Sequence, residues 1–113
     1  SNIFFMLETN EWRSQKETNP EVWEAFAAKY SIDSYQGGKI PSIVCYENGI
    51  KKDMAVYLND VMNFSEEGIN ITASYYQDAP FIGNTFASYN DYKNGVKEFH
   101  NQKIEEFLEK YYE

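Results

Sequence analysis

The chain has 113 residues, 18% of them aromatic, and a formal net charge of −8 at pH 7. This length predicts one domain that buries a core of its own, and a composition so rich in large apolar side chains is not typical of a disordered protein. The negative charge argues against nucleic acid or an anionic membrane surface as a partner, and no apolar run approaches the roughly 20 residues that a transmembrane helix requires.

The first third of the chain predicts a strand, a loop and a helix. Residues 3–7 form a continuous apolar run, which is typical of a strand covered on both faces, whereas residues 8–18 are polar and predict a loop. Asn19-Pro20 indicates a helix start, because Asn suits the N-cap and Pro suits the first helical position. The apolar face of this helix is predicted to comprise Val22, Trp23, Phe26, Ala27 and Tyr30.

A strand hairpin is predicted after the Gly37-Gly38 pair, which ends the helical region. Residues 40–46 and 50–58 are expected to be its two strands. They are joined by Asn48-Gly49, a dipeptide that favours the two-residue turn of a hairpin. Pro41 is expected at the start of the first strand, where no ladder donor is needed.

The last part of the chain predicts a strand, a long loop and a helix. Residues 68–76 alternate as in a strand, and residues 77–95 are aromatic-rich and loop-like. So long a loop is unusual and points to binding or to extra local structure. The clearest helix is expected over residues 96–112. Its apolar stripe consists of Val96, Phe99, His100, Ile104, Phe107, Leu108 and Tyr111.

Three segments carry a resemblance to a known family. They are Lys29-Tyr30-Ser31-Ile32, the run Ile40-Pro41-Ser42-Ile43-Val44-Cys45-Tyr46-Glu47-Asn48-Gly49, and the helix end Glu105-Glu106-Phe107-Leu108-Glu109-Lys110-Tyr111. In this order they resemble the second half of the thioredoxin-like family, over roughly residues 3–58 and 96–112. The resemblance implies a cis Ile40–Pro41 bond that presents backbone groups of Ile40 to an extended peptide.

The chain departs from that family in three respects. The family carries a CxxC pair on a helix N-terminus, which the resemblance places before residue 3, whereas this chain has the single cysteine Cys45. The loop between Ser31 and Pro41 is longer than in a simple thioredoxin. Residues 59–95 form an insertion before the last helix.

The resemblance also implies a gap in the sheet. In the family, a strand from the first half lies between the strands that correspond to residues 3–7 and 41–46. Unpaired strand edges inside a sheet are costly, so something has to fill this gap. The candidates are the strand at 68–76, a strand swapped from a second chain, and a first half absent from this sequence.

The predicted fold class is therefore α/β. We expect an incomplete or modified thioredoxin-like three-layer sandwich with a mixed sheet, an Asn-Gly hairpin, an insertion at about 59–95 and a C-terminal helix. Residues 1–113 are expected to form a single domain, in which Ser1-Asn2 is consistent with a remnant of cloning. Both a cytoplasmic location and an extracytoplasmic one, after removal of an N-terminal signal or anchor, remain open.

No catalytic residue, cofactor or metal ligand is predicted. Cys45 lies in an apolar strand and is expected to be a buried packing residue. His100 lies on the apolar side of the last helix, which favours a core or boundary role. The carboxylates of Glu66, Glu67 and Asp91 are expected to be solvated, because nothing in the sequence indicates a raised pKa.

Two regions are candidate binding sites. Ile40 and Pro41 are the candidate peptide-binding residues that the resemblance implies. The second region is a set of aromatic side chains that could contact a partner or pack as a satellite core: Tyr75, Tyr76, Phe81, Phe86, Tyr89 and Tyr92.

Three functional hypotheses follow. The first is a non-catalytic thioredoxin-like module that binds a protein or peptide at the Ile40-Pro41 edge or through the 75–92 region. The second is the C-terminal portion of a longer thiol–disulfide oxidoreductase whose CxxC lies upstream of Ile3. The third is a structural module that forms a strand-swapped homodimer.

Overall fold

The computed structural model describes residues 3–29 and 39–112. The chain forms two compact units, residues 1–55 and 56–113. Tyr30, Gly37-Gly38 and most of the Lys29-Tyr30-Ser31-Ile32 motif lie outside the described residues. Within the described ranges, no helix has the length and apolar character needed to cross a membrane.

The first unit contains a three-stranded sheet and two helices. Its elements in chain order are β1 (Ile3–Glu8), α1 (Asn10–Thr18), α2 (Pro20–Lys29), β2 (Ser42–Glu47) and β3 (Ile50–Val56). The strand order is β1-β2-β3, with β2 in the middle. The hairpin between β2 and β3 turns at Asn48 and Gly49, which both have positive φ, as predicted.

The predicted loop over residues 8–18 is wrong, because α1 occupies most of it. Thr9 is the N-cap, and its hydroxyl accepts a hydrogen bond from the Trp12 N–H at 3.1 Å. The sequence conceals this helix because none of its residues is buried, so it lacks the apolar periodicity that marks most helices. The following helix, α2, begins at Pro20 as predicted.

The sheet has no gap, and this corrects the expectation drawn from the resemblance. The Trp12 and Phe26 rings lie 4.9 Å apart, so α1 and α2 pack against each other. β1 lies directly beside β2 and antiparallel to it, with Phe5 opposite Cys45. The predicted mixed sheet is also wrong, because both sheets within the described residues are antiparallel.

The core of the first unit lies between the sheet and its two helices. Met6, Val44 and Tyr46 are buried, and Phe4, Trp12, Phe26 and Met54 pack against them. The Phe4 and Tyr46 rings stack at 5.0 Å. β1 is thus not the uniformly covered strand that its apolar run predicts, since Leu7 on its other face remains 64% exposed.

The second unit contains a second sheet and a long helix. Its elements are β4 (Val61–Ser65), β5 (Gly68–Ala73), β6 (Thr85–Phe86) and α3 (Tyr89–Tyr111), and the strand order is β4-β5-β6. The strand predicted at 68–76 is β5, which belongs to this sheet and so does not fill a gap beside β2. The core comprises Ile69, Ile71, Ala79, Phe81, Tyr92 and Val96, with Leu58, Met62, Phe86 and Phe99 packed against it.

The terminal helix begins at Tyr89 rather than at residue 96. Ser88 is its N-cap, and the Ser88 hydroxyl accepts a hydrogen bond from the Asp91 N–H at 3.1 Å. Gly95 lies inside the helix, where a Cβ atom would stand 2.6 Å from Cε1 of Phe86. The glycine that makes the sequence look loop-like is therefore the residue that admits the Phe86 ring.

Candidate functional site

A surface concavity of about 330 Å³ lies beside the Ile40-Pro41 dipeptide in the first unit. It is lined by Ile40, Pro41, Thr9, Asn10 and Glu11. The Ile40–Pro41 peptide bond is cis, as the resemblance implies. The concavity therefore lies between the start of β2 and the N-terminus of α1.

The sheet register brings these two segments together. Glu8 at the end of β1 lies opposite Ser42 at the start of β2. The residues that follow Glu8 and those that precede Ser42 must therefore lie side by side at the same end of these two strands, which is called this edge of the sheet below. Because Thr9 caps α1 immediately after β1, the first turn of that helix is fixed at the same edge.

Polar groups are buried next to the lining residues in the chain. The Glu8 side chain is fully buried, and its Oε2 lies 3.4 Å from Nη2 of Arg13. Ser42, which follows Pro41, is 1% exposed, and its hydroxyl has no hydrogen-bond partner among the residues that the structure describes. The segments that supply the lining residues are therefore continuous with buried polar side chains, which are costly to bury without partners.

The part of the concavity lining that the structure describes contains neither cysteine nor histidine. Within the described residues, no group of three or more His, Cys, Asp and Glu side chains could hold a metal ion. The described lining residues can hold both apolar and polar groups of a ligand.

Cys45 lies in the middle of β2 and is completely buried, as predicted. Burial raises the pKa of its thiol, and the neighbouring Lys52 offsets only part of this effect. A buried thiol with a raised pKa is a poor nucleophile, because the thiolate is the reactive form.

The second unit contains a buried polar network that the sequence did not indicate. Asp60 precedes β4, and Tyr92 and His100 lie on α3. Oδ2 of Asp60 accepts a hydrogen bond from the Tyr92 hydroxyl and lies 3.1 Å from Nε2 of His100. The Asp60 side chain is completely buried and that of His100 is 1% exposed.

The hydrogen bonds define how this network is protonated. Nδ1 of His100 accepts a hydrogen bond from the Leu58 N–H at 3.4 Å. The ring proton is therefore on Nε2, which donates a hydrogen bond to Oδ2 of Asp60. Burial acts to raise the pKa of Asp60. The hydrogen bonds from His100 and Tyr92 act in the opposite direction and have the larger effect, so the pKa of Asp60 lies below its usual value. Burial, followed by the hydrogen bond to Asp60, raises the pKa of the Tyr92 hydroxyl.

This network is a structural feature of the core rather than an active site. Both imidazole nitrogens of His100 are engaged, so neither is available to take a proton from a substrate. Aromatic rings surround the imidazole on several sides: the ring centroids of Tyr57, Tyr76, Phe81 and Phe99 lie 5.8–5.9 Å from that of His100. The structure thus confirms the predicted core position of His100.

The six aromatic candidates of the 75–92 region do not form one exposed surface. Tyr92 and Phe81 are buried in the core of the second unit, and Phe86 packs against that core. The Tyr76 hydroxyl accepts from the Val56 N–H at 2.9 Å and donates to the Val56 carbonyl at 3.1 Å. Tyr75 and Tyr89 are the exposed members, at 44% and 49%.

Comparison of the chain with protein-family models, with curated proteins and with solved structures finds no match.

Proposed function

We propose that this protein is a non-catalytic binding module that holds an extended segment of a protein or peptide in the concavity beside Pro41. The observation that carries this proposal is the meeting of two segments at one edge of the sheet: the cis Ile40–Pro41 dipeptide and the first turn of α1. In the thioredoxin-like family, which the sequence resembles, the corresponding cis-proline edge contacts extended peptides.

The lining suits a peptide better than a small cofactor. Its volume of about 330 Å³ lies at the lower limit of typical small-molecule sites, so it has room for one or two side chains. Pro41 is exposed and Ile40 half-buried, which gives an apolar contact on one side. Asn10 and Glu11 are exposed on the other side, where they can accept hydrogen bonds from a ligand's N–H groups or from a cationic side chain.

The oxidoreductase hypothesis has less support. The resemblance would require a CxxC pair at a helix N-terminus beside the cis-proline. The helix N-terminus beside Pro41 carries Thr9, Asn10 and Glu11, and Cys45 is buried. The swapped-dimer hypothesis loses its original motive, because β1 pairs directly with β2.

A matched pair of substitutions tests the proposed site. Glu11 and Glu17 are both exposed residues of α1, but only Glu11 lines the concavity. We would select binding peptides from a displayed library of random heptapeptides against the unaltered protein. The selected peptides would then be measured against Glu11→Trp, which fills the concavity, and against Glu17→Trp.

The expected result is a loss of affinity of about tenfold or more for Glu11→Trp and no change for Glu17→Trp. Amide chemical shifts of residues 9–11 should move on addition of a selected peptide. The proposal fails if selection enriches no peptide, or if the two variants bind the selected peptides equally well while both retain the native circular dichroism spectrum.

A further inference from the structure

The outer edge of β4 is open. Among the residues that the structure describes, β4 has a strand neighbour on one side only, namely β5. Four of its five residues are exposed, and Met62 is half-buried. An edge of this kind presents backbone N–H and C=O groups that can pair with another extended chain.

β4 also lacks the features that usually protect a sheet edge. The sequence Val61-Met62-Asn63-Phe64-Ser65 contains no lysine, no proline and no other charged residue. Phe64 is 70% exposed and Val61 is 54% exposed. Phe64 lies opposite Ile69, a core residue, so its ring extends the apolar side of the hairpin beyond the core.

The negative charge beside β4 indicates which kind of extended segment can pair with this edge. The exposed residues Glu66 and Glu67 follow β4 directly and form the turn to β5. A second copy of this chain would bring another formal charge of −8 to the edge and would be repelled. An extended segment with Lys or Arg residues at one end would instead place its cations beside the two carboxylates.

We infer that β4 is a docking edge for an extended, basic segment of a partner protein, which adds to the second sheet as a fourth strand. The main-chain hydrogen bonds would supply affinity. Phe64 would contact apolar side chains on one face of the segment, and Val61, three residues earlier in β4, would contact side chains on the other face. The Glu66-Glu67 turn would select the basic end of the segment. This site is independent of the concavity beside Pro41.

Three probe peptides test this inference. The first is fluorescently labelled KKVTVTV, which combines an alternating β-branched strand with a basic end. The second is EEVTVTV, which differs only in the sign of the end charges. The third is KKVTVTV with alternate backbone amides N-methylated, which keeps the side chains but cannot complete a strand ladder.

Variants of the protein test the apolar contact and the charged contact of β4 separately. Phe64→Thr removes the exposed ring, and the double variant with Glu66→Lys and Glu67→Lys reverses the charge of the turn. Leu7→Thr is the matched control, because Leu7 is an exposed strand residue of the first unit at 64%. Fluorescence anisotropy at low salt measures each affinity, and amide hydrogen exchange locates the peptide.

We expect KKVTVTV to bind about tenfold more tightly than EEVTVTV and than the N-methylated peptide. Phe64→Thr should weaken binding by a similar factor, the charge-reversed variant should prefer EEVTVTV, and Leu7→Thr should change nothing. Amides of residues 61–65 should become protected from exchange. Unchanged binding by Glu11→Trp would separate this site from the concavity.

The inference is overturned if the three peptides bind alike, or if Phe64→Thr and Leu7→Thr have equal effects. It is also overturned if sedimentation equilibrium shows a dimer that Phe64→Thr dissociates, because the occupant of the edge would then be a second copy of the chain. Binding that Glu11→Trp abolishes would instead assign the peptide to the concavity.

Discussion

Asp60 accepts a hydrogen bond from a tyrosine and a histidine through one oxygen atom, although its carboxylate is completely buried. Tyr92 and His100 both donate to Oδ2, whereas Oδ1 has no hydrogen-bond partner within the described part of the chain. A buried charge of this kind is tolerated only while its donors are in place. The network therefore makes the second unit sensitive to small changes at positions that touch no ligand.

Removal of the Tyr92 hydroxyl should show this sensitivity. Tyr92→Phe keeps the ring in the core but deprives the Asp60 carboxylate of one donor, which should lower the free energy of unfolding by about 2 kcal/mol. Urea unfolding followed by circular dichroism measures the change. Tyr89→Phe is the control, since Tyr89 is 49% exposed and its loss of a hydroxyl should cost less than about 0.5 kcal/mol. Equal effects of the two variants would contradict a stabilising role for the network.

The Cys45 thiol should be protected in the folded protein. It is completely buried, and burial raises its pKa, so little thiolate forms at neutral pH. A colourless disulfide reagent that releases a coloured thiolate should react with one thiol per chain in concentrated guanidinium chloride and with almost none in buffer. Rapid reaction of the native protein at pH 7 would show that β2 opens readily or that the thiol is accessible.

At the scale of single elements, the start of α3 depends on its N-cap. The Ser88 hydroxyl satisfies the Asp91 N–H, which otherwise has no partner within the helix. Ser88→Ala should therefore destabilise the protein by about 1 kcal/mol in urea unfolding, whereas Ser88→Asp should retain most of the stability because Asp is an equally good N-cap. If both variants lose the same amount, the cap does not stabilise the helix.

Local signals made some elements predictable from the sequence. Asn19-Pro20 marked the start of α2, and Asn48-Gly49 marked the turn between β2 and β3, because each dipeptide matches one backbone conformation. The apolar alternation around Ile69 and Ile71 marked β5.

Other elements were missed because their determinants are distant in sequence or weak. α1 buries none of its residues, and β4 buries none of its own, so neither shows a clear apolar pattern. The first turns of α3 were assigned to a loop because Gly95 interrupts them, although Ser88 and Asp91 have the spacing of a capping box. Asp60 and His100 are 40 residues apart, and no local pattern connects them.

Only one of the two segments that line the candidate binding site was predicted from the sequence. The resemblance pointed to Ile40 and Pro41, but it placed the family's functional helix before residue 3. The structure shows that the helix N-terminus beside Pro41 is that of α1, because Glu8 pairs with Ser42 and brings Thr9 to the same edge. Strand register is a long-range property, and the single sequence did not reveal it.

At the scale of the whole molecule, each of the two units has its own core, and the ionised core carboxylate of Asp60 belongs to the second. The pKa of Asp60 is lowered in the folded protein and returns to about 3.9 in the unfolded chain. The stabilisation that follows from this difference is fully present above about pH 4 and is lost as the pH falls through the lower, folded-state pKa.

Acid unfolding should reveal this linkage. Asp60→Asn cannot take up the proton, so its stability should depend less steeply on pH below about pH 4 than that of the unaltered protein. The difference in free energy of unfolding between the two proteins should therefore shrink from pH 5 towards pH 2, as urea titrations at several pH values would measure. Asp78→Asn provides a comparison: the hydrogen bond with Lys103 also lowers the pKa of the Asp78 carboxyl, but this carboxylate is 65% exposed, so solvent screens the pair and the corresponding difference should shrink much less. A constant difference across this range would refute the assignment of a buried, ionised Asp60.

The close contacts of Gly68 and Gly95 with Phe86 limit which substitutions natural relatives of this protein can carry. A Cβ atom at Gly68 would lie 2.2 Å from the Phe86 carbonyl oxygen, and one at Gly95 would lie 2.6 Å from the Phe86 ring. The contact at Gly68 involves the backbone of residue 86, so it remains whichever side chain that residue has. The contact at Gly95 involves the Phe86 ring, so it disappears when a small residue replaces Phe86. Natural relatives should therefore keep glycine at position 68, while positions 86 and 95 should covary, with a small residue at 86 wherever 95 has gained a side chain.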